Sequence, residues 1–471
     1  MKHTSISELF NHKENYLGKQ VTVCGWVRTS RDSKNVAFVE LNDGSTLTHI
    51  QVVFEKSEFG DSQLAPLLAL GAAIKVEGKL VSGMKAESVE IAAKSATLLG
   101  ASDPSYPMQK KRHTLEFLRT IPHLRVRTNT FNAMFRIRSE LSYAIHSFFH
   151  ENGFYYVHTP IITGSDCEGA GEIFKVTTVG YDPTVKSEEE YYRKDFFGCA
   201  AGLTVSGQLE GETMATALGK IYTFGPTFRA ENSNTTRHAA EFWQIEPEVA
   251  FAELDDIIEI ATDMIKYIVR YLLKSCAAEL KFFEERFEAG LIAKLENVAN
   301  SDFARVDYTS AIDLLKKSGK QFAYPVEWGC DLQTEHERYL TDEVFKKPVF
   351  VTDYPKEIKS FYMKLNPDNK TVAATDLLVP GVGEIIGCSE RENDYDKLLK
   401  IIKERKMKIE DYEQYLDLRK FGSVPHSGFG LGLERMMMYV TGIGNIRDTI
   451  AYPRTVKNLN QNIYTIPKSF R

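Results

Sequence analysis

Two arginines beside a polar loop are the first residues in this chain whose types and spacing could do chemistry. Arg229 and Arg237 enclose a run rich in Asn, Ser and Thr, and His238 follows directly. Guanidinium forks bind phosphate oxygens in pairs, and Phe242 offers a ring on which a base can stack. The pattern predicts a hairpin whose two arms face one phosphate-bearing ligand. A surface hairpin with solvated charges is the alternative.

Two carboxylates form a second candidate group. Asp376 and Glu384 flank a glycine-containing bend inside an otherwise apolar stretch. Carboxylates placed in this way can share Mg²⁺ ions that also bridge polyphosphate oxygens. The alternative is that both side chains only cap the backbone of a turn.

A third group combines alternate glycines with an arginine. Gly428, Gly430 and Gly432 leave one face of a strand without side chains, so a flat ligand can lie against the backbone. A helix is predicted to begin next, with Arg435 near its positive end, where terminal phosphates are favoured. Glycines that only permit tight packing are the alternative, although packing does not require the arginine.

The first hundred residues are predicted to form a small β domain. Short runs with β-branched or alternating apolar residues are separated by turn signals at residues 31–33, 42–45 and 82–83. Five such strands suit a barrel of the oligonucleotide-binding type, and a fragment of a β-sandwich is the alternative. The runs are 21–27, 37–41, 49–54, 73–80 and 89–93.

The remaining sequence must position the three candidate groups. Residues 100–127 break regular structure at two prolines and carry a basic cluster at 110–113, so they predict a linker, either a plain one or one that also touches phosphates. From Thr130 onward helical spacing alternates with strand patterns, which predicts an α+β domain. The predicted domains are therefore 1–101, a linker at 102–129, and 130–471.

Composition excludes several classes of protein. The 471 residues include 58 basic and 64 acidic side chains, and this balance rules out a uniformly basic chain but not a local basic face. No window of 18 apolar residues predicts a membrane span, and the N-terminus lacks the apolar core of a secretory signal. Six widely spaced cysteines argue against a zinc site and a disulfide scaffold. These features predict a soluble, cytoplasmic, multidomain protein.

Taken in order, the candidate groups resemble the three signature motifs of the class II aminoacyl-tRNA synthetases. Residues 135–160, ending in Pro160, are similar to motif 1, residues 224–246 to motif 2, and residues 426–440 to motif 3. A barrel ahead of the catalytic domain resembles subclass IIb, which comprises the aspartyl, asparaginyl and lysyl enzymes. The resemblance implies an oligonucleotide-binding barrel that reads the anticodon, followed by an antiparallel sheet flanked by helices, and it covers essentially the whole chain.

Within the subclass, the resemblance is closest to the asparaginyl branch. Gly211 stands where aspartyl enzymes have a lysine after a Ser-Pro-Gln-Leu run. A lysine there would neutralise a substrate carboxylate, whereas a neutral carboxamide would leave that cation buried and unpaired. Residues 281–345 are similar only to this branch, and the sequence assigns them no role.

The resemblance also implies roles for individual residues and a set of ligands. It implies two catalytic charges, Arg229 and Arg435. The ATP site would comprise Arg229, Glu231, Arg237, His238, Phe242, Glu384, Gly430, Gly432 and Arg435. The amino-acid pocket would comprise Glu168, Ser206, Gln208, Glu246 and Arg391. Asp376 and Glu384 would bind Mg²⁺ with help from Ser389, and anticodon bases would meet Arg28, Phe38 and Gln51. The implied partners are L-asparagine, ATP, tRNA(Asn) and a second copy of the chain.

Two alternatives remain at this stage. Arg391 would donate to the side-chain oxygen of asparagine and Glu246 would accept from its NH₂, whereas aspartate would set a carboxylate against Glu246. An aspartyl or non-discriminating synthetase is the first alternative, and Gly211 and Glu246 argue against it. A catalytically silent paralogue that only binds RNA is the second, although it would be expected to lose phosphate arginines or metal carboxylates that this chain retains.

Overall fold

The computed structural model describes residues 3–84, 88–165, 167, 173–180, 185, 187–233 and 235–459. The chain divides into two compact units, Met1–Ala133 and Met134–Arg471. Over the described residues, no helix has the length and apolarity needed to cross a membrane.

The first unit contains a closed five-stranded barrel, as the strand pattern predicts. Its strand order is β1-β2-β3-β5-β4, and all pairs are antiparallel except β3 with β5. Alternate residues of each strand point inward and are almost fully buried, as Val23, Val39 and Val52 illustrate. The strands are β1 (Gln20–Asp32), β2 (Val36–Asn42), β3 (Ile50–Glu55), β4 (Ala73–Ser82) and β5 (Val89–Gly100).

Short helices complete this unit. Ser5 and Thr114 cap two of them by accepting hydrogen bonds from backbone N–H groups of the first turn. The helices are α1 (Ile6–Asn11), α2 (Lys13–Tyr16), α3 (Asp61–Leu67), α4 (Leu115–Arg119) and α5 (Pro122–Arg125). The predicted linker therefore contains two single-turn helices; its separation from the barrel at residue 101 stays a prediction.

The second unit is built on an eight-stranded mixed sheet. The order is β11-β12-β13-β14-β15-β10-β9-β6, with parallel pairs only at its two edges. The strands are β6 (Tyr155–Tyr156), β9 (Lys220–Phe228), β10 (Glu241–Ala250), β11 (Ala304–Asp307), β12 (Val349–Thr352), β13 (Ala374–Val379), β14 (Gly383–Glu390) and β15 (His426–Gly432). A separate pair consists of β7 (Ile162–Thr163) and β8 (Gly202–Leu203).

Helices flank this sheet. The long helix α9 begins at a capping box formed by Glu253 and Asp256, and it buries an apolar stripe that includes Ile257 and Ile268. The helices are α6 (Asn129–Glu151), α7 (Glu188–Arg193), α8 (Gln208–Leu218), α9 (Leu254–Ser275), α10 (Ala277–Arg286), α11 (Leu291–Asn300), α12 (Tyr308–Lys317), α13 (Thr334–Arg338), α14 (Tyr395–Glu404), α15 (Glu413–Lys420) and α16 (Leu433–Thr441). A π-helical segment, Tyr339–Phe345, continues directly from α13.

Candidate active site

A cavity at the loop end of the β9–β10 hairpin gathers the residues expected to bind a nucleotide. Phe228 pairs with Glu241, so residues 229–240 form the connection that the sequence predicts. The start of α16 and the turn before β14 supply the other walls. All nine expected residues line this one cavity: Arg229, Glu231, Arg237, His238, Phe242, Glu384, Gly430, Gly432 and Arg435.

The cavity is strongly cationic on one side. The Arg229 guanidinium lies 5.5 Å from the centre of the Phe242 ring, so the two candidate ligand-binding groups are neighbours. Burial, and then the charge of Arg435, lower the pKa of His238, whose Nδ1 lies 2.6 Å from the Thr235 hydroxyl. His238 is therefore a neutral hydrogen-bonding group at neutral pH, while the arginines carry the positive charge.

The two carboxylates expected to bind metal face the same side of the β13–β14 hairpin. A Cβ atom placed on Gly387 would lie 3.5 Å from Asp376 Oδ1 and 3.6 Å from Glu384 Oε1, so the missing side chain leaves space between both oxygens. Lys359 Nζ donates to Asp376 at 2.6 Å, and Arg435 Nη1 donates to Glu384 at 2.9 Å. Cations already balance both carboxylates.

This pair fits Mg²⁺ that is also held by a polyphosphate. Burial alone would raise the pKa of Glu384, but Arg435 and Lys359 hold it below its usual value. For Asp376, burial outweighs Lys359 and raises the pKa. Over the described residues, no cluster of three or more His, Cys, Asp or Glu side chains could hold a metal by itself. Phosphate oxygens and water would have to complete the coordination.

A second cavity adjoins the first and contains the residues expected to bind an amino acid. It is lined by Ser206, Gln208, Glu246 and Arg391, together with Asp376. The two cavities share parts of their walls, namely Arg229, Gln244, Glu384 and Gly430. A molecule in the second cavity would therefore end next to the cationic side of the first.

Hydrogen bonds fix the carboxylate of Glu246 at the wall of this cavity. It accepts from the Ser206 hydroxyl, from the Gly207 N–H at 3.0 Å and from the Thr223 hydroxyl at 3.2 Å. These bonds hold the Glu246 carboxylate in place, and its role as acceptor for the NH₂ group of an amino acid stays a prediction.

Arg391 enters the same cavity from the opposite side and is held by Glu248. Its Nε and Nη2 atoms donate to the two carboxylate oxygens of Glu248, and Nη1 donates to the Ser389 hydroxyl. Burial alone would lower the pKa of Arg391, but Glu248 and Glu212 raise it above its usual value, so the guanidinium is always charged. The Ser389 hydroxyl, which was expected to help bind metal, accepts from Arg391, and its part in metal binding stays a prediction.

A fully buried cluster of charged groups around Glu212 contacts Gln208, one of the residues that line the second cavity. Glu212 accepts from Arg419 Nη2 at 2.7 Å, from the Tyr415 hydroxyl at 2.8 Å and from Gln208 Nε2 at 3.0 Å, and His426 Nε2 lies 2.8 Å away. Burial would raise the pKa of Glu212, but Arg419 and His426 more than offset it and lower that pKa. Gln208 is therefore oriented by a charged group rather than by the ligand alone.

The glycines of β15 lack a side chain in different surroundings, some against a neighbouring strand and some at a cavity wall. A Cβ on Gly428 would lie only 2.3 Å from Glu248 Oε1, and a Cβ on Gly430 would lie 2.9 Å from Gln244 Nε2. Side chains of the neighbouring strand therefore occupy the space that the sequence assigns to a flat ligand. Gly430 and Gly432 still line the nucleotide cavity, so the predicted open face applies only to the end of the strand near α16.

Gly211 lies on helix α8 beneath the amino-acid cavity. A Cβ at this position would lie 3.6 Å from the Glu248 side chain and 3.5 Å from Ile221, both ordinary contact distances. A lysine here would direct its ammonium toward the group that now pairs with Arg391. The absence of that lysine leaves Arg391 as the partner of Glu248.

The residues expected to meet anticodon bases lie in the first unit. Phe38 and Gln51 share the outer face of β2 and β3, since Glu40 of β2 pairs directly with Gln51. Arg28 occupies a bulge in β1 and donates to Asn129 Oδ1 at 3.3 Å, in a groove also lined by Lys110, Lys111 and Arg127. The basic cluster of the predicted linker therefore lies beside Arg28.

Several site residues were not found from the sequence. Glu248 follows Glu246 by two positions on one strand, and Glu212 follows Gln208 by four on one helix, so periodicity could have indicated both. Lys359, Arg419 and Glu337 come from distant segments and carry no local signal. The remaining prediction, Glu168, lies outside the described residues.

The fold and the site define a class II aminoacyl-tRNA synthetase. The family described as tRNA synthetases class II (D, K and N) matches residues 114–456, and the family described as OB-fold nucleic acid binding domain matches residues 21–99. The chain is 58% identical over 459 residues to an asparagine–tRNA ligase of Acetivibrio thermocellus, with 97% of this chain and 99% of the relative covered. It therefore belongs to the asparagine–tRNA ligase family.

Other relatives agree with this assignment. An asparagine–tRNA ligase of Clostridium novyi is 56% identical, with 97% of this chain and 99% of the relative covered. Among solved structures, asparaginyl-tRNA synthetase from Pyrococcus horikoshii complexed with asparaginyl-adenylate superimposes with a TM-score of 0.86 at 33% identity, covering 98% of this chain and 99% of that one.

Proposed function

We propose that the two joined cavities carry out the activation of L-asparagine by ATP and its transfer to tRNA(Asn). The observation that carries this proposal is the shared wall: Arg229 and Glu384 line both the cationic cavity and the cavity that contains Glu246 and Arg391. A nucleotide in one and an amino acid in the other would bring the α-phosphate and the α-carboxylate together at Arg229.

In the first step, the α-carboxylate of asparagine attacks the α-phosphorus of ATP and diphosphate leaves. Arg229 neutralises the charge that develops on the α-phosphate, and Arg435 holds the outer phosphates. When bound between Asp376 and Glu384, Mg²⁺ would supply further neutralisation of the phosphate oxygens. The Phe242 ring, beside Arg229, provides the stacking surface for adenine.

In the second step, the terminal ribose hydroxyl of the tRNA attacks the adenylate carbonyl and AMP leaves. No nucleophilic side chain is required, since the reactants are held and their charges are balanced. Phe38 and Gln51 on the outer face, together with Arg28, are the proposed anticodon-binding residues, and the basic groove beside Arg28 is proposed to contact the RNA backbone. Because tRNA and ATP are cytoplasmic substrates, we place the enzyme in the cytoplasm.

We further propose that two copies of the chain pair through the end of the segment that resembles motif 1 and the two residues that follow it. Tyr155, Tyr156, Ile161 and Ile162 are each between 44% and 58% exposed, and β6 is the edge strand of the sheet. Exposed apolar groups at a sheet edge mark an interaction surface. We expect sedimentation equilibrium to give the mass of two chains, and Ile161→Asp to give the mass of one. Phe421→Asp, elsewhere on the surface, should stay a dimer; a monomeric parent chain would contradict the proposal.

The activity is tested by pyrophosphate exchange with ATP and Mg²⁺. We expect asparagine to support exchange and aspartate and lysine at the same concentration not to, because Glu246 opposes a carboxylate and the pocket presents a donor–acceptor pair. Chelation of Mg²⁺ should abolish exchange and its return should restore it. Equal exchange with aspartate would overturn the specificity, and no exchange with any of the three would favour a silent RNA-binding paralogue.

A further inference from the structure

The segment Thr334–Phe345, formed by α13 and the π-helical segment, accepts hydrogen bonds from both sides of the turn between β13 and β14. At one end of the turn, Gly381 N–H donates to Asp342 Oδ1 at 2.9 Å. At the other, Glu384 N–H donates to Glu337 Oε2 at 3.2 Å. Two acidic side chains of the segment therefore hold the backbone of the turn and of the metal-binding candidate Glu384, which follows the turn in β14.

The same segment also holds a phosphate-binding arginine. Arg237 Nη1 donates to the Thr334 hydroxyl at 2.8 Å and lies 4.0 Å from Glu337 Oε2. Arg237 belongs to the β9–β10 connection, which is remote from this turn in sequence. Thr334 and Glu337 thus link the two sides of the cavity where the outer phosphates of ATP would lie.

A single glycine shows how closely these groups meet. Gly383 has φ +90°, and a Cβ there would lie 2.2 Å from Glu337 Oε2 and 3.2 Å from Arg237 Nη1. The turn, the carboxyl group and the guanidinium are therefore in contact at one point. No side chain fits between them, and Glu337 contacts both Arg237 and the Glu384 N–H, so we expect a change at Glu337 to affect the placement of both.

We propose that Thr334 and Glu337 are positioning residues for the outer phosphates of ATP, acting through Arg237 and Glu384. This inference rests on the proposed function, and it gives a role to the end of the 281–345 insertion, to which the sequence assigned none. Positioning through these two partners concerns the β- and γ-phosphates. It should leave the binding of AMP, which lacks them, and of asparagine unchanged.

The test compares Glu337→Ala, Glu337→Gln and Thr334→Val with the parent enzyme, once the parent has shown exchange that requires asparagine. We expect Glu337→Ala to raise the KM for ATP and for diphosphate by about 10-fold or more, and Thr334→Val by about 3-fold. Glu337→Gln keeps an oxygen that can accept from the Glu384 N–H, so it should recover most of the loss. Glu343→Gln, an exposed carboxylate of the same segment, is the matched control and should resemble the parent.

Four further measurements separate positioning from a loss of stability. The KM for asparagine and the Kd for AMP should be unchanged in Thr334→Val and Glu337→Gln, with unfolding midpoints close to that of the parent. Thr334→Val should add nothing to Arg237→Ala if it acts through that arginine. The proposal is overturned if the ATP parameters of Glu337→Ala and Thr334→Val match the parent, or if asparagine and AMP binding weaken as much as ATP binding.

Discussion

Arg229→Ala is expected to lose about 10³- to 10⁴-fold in the rate of adenylate formation, because it removes the one guanidinium that both cavities share. In the proposed mechanism, this guanidinium neutralises the negative charge that develops on the α-phosphate when the carboxylate attacks. Arg229→Lys keeps the charge but not the paired geometry, so an intermediate rate is expected. Single-turnover formation of asparaginyl adenylate measures the step directly.

A matched variant checks that the loss is specific to the site. Arg305 is half exposed and pairs only with the exposed Asp255 among the contacts described, so Arg305→Ala should keep the parent rate. Because Arg229 is expected to act on the transition state, its loss should appear in the rate constant rather than only in the KM values. Substantial exchange by Arg229→Ala would refute its role.

The second large effect is expected for Glu246→Gln, in the preference between asparagine and aspartate. The substitution removes the charge that opposes a substrate carboxylate and places an NH₂ group where Gly207 N–H and Thr223 now donate. We expect kcat/KM for asparagine to fall about 100-fold and the discrimination against aspartate to fall further, since a mispaired donor in a buried site is costly. Exchange rates with each amino acid give the ratio.

Glu241→Gln offers the control for this substitution. Glu241 begins the same strand but is exposed, so the loss of its charge should change neither rate nor preference. If Glu246→Gln kept the parent preference for asparagine, the specificity would have to come from Arg391 and its surroundings. The donor–acceptor account of the pocket would then fail.

The sequence was most informative where one short segment contains all the residues of a candidate group. The hairpin carrying Arg229 and Arg237, the bend between Asp376 and Glu384, and the strand–helix junction before Arg435 were predicted because local spacing sets the side-chain direction. The five barrel strands were predicted for the same reason, since inward apolar residues alternate along each of them.

Contacts between remote segments could not be predicted in this way. The pairing of Lys359 with Asp376 depends on chain packing that no local pattern encodes. The space at Gly428 likewise depends on the neighbouring strand β10, whose Glu248 fills it. Such partners become visible only when the sheet order is known, and this is why the hydrogen bond between Arg391 and Ser389 was not predicted.

The contact between Gly428 and Glu248 also restricts how this pocket can change during evolution. Any side chain at residue 428 would collide with Glu248, so the two sheet positions can only be exchanged together, through intermediates that have lost the support of Arg391. Gly211 is different, because a side chain there meets its neighbours at ordinary distances. A single substitution at residue 211 could therefore add a cation near Glu248 without a steric clash, whereas a side chain at residue 428 would also require a change at Glu248.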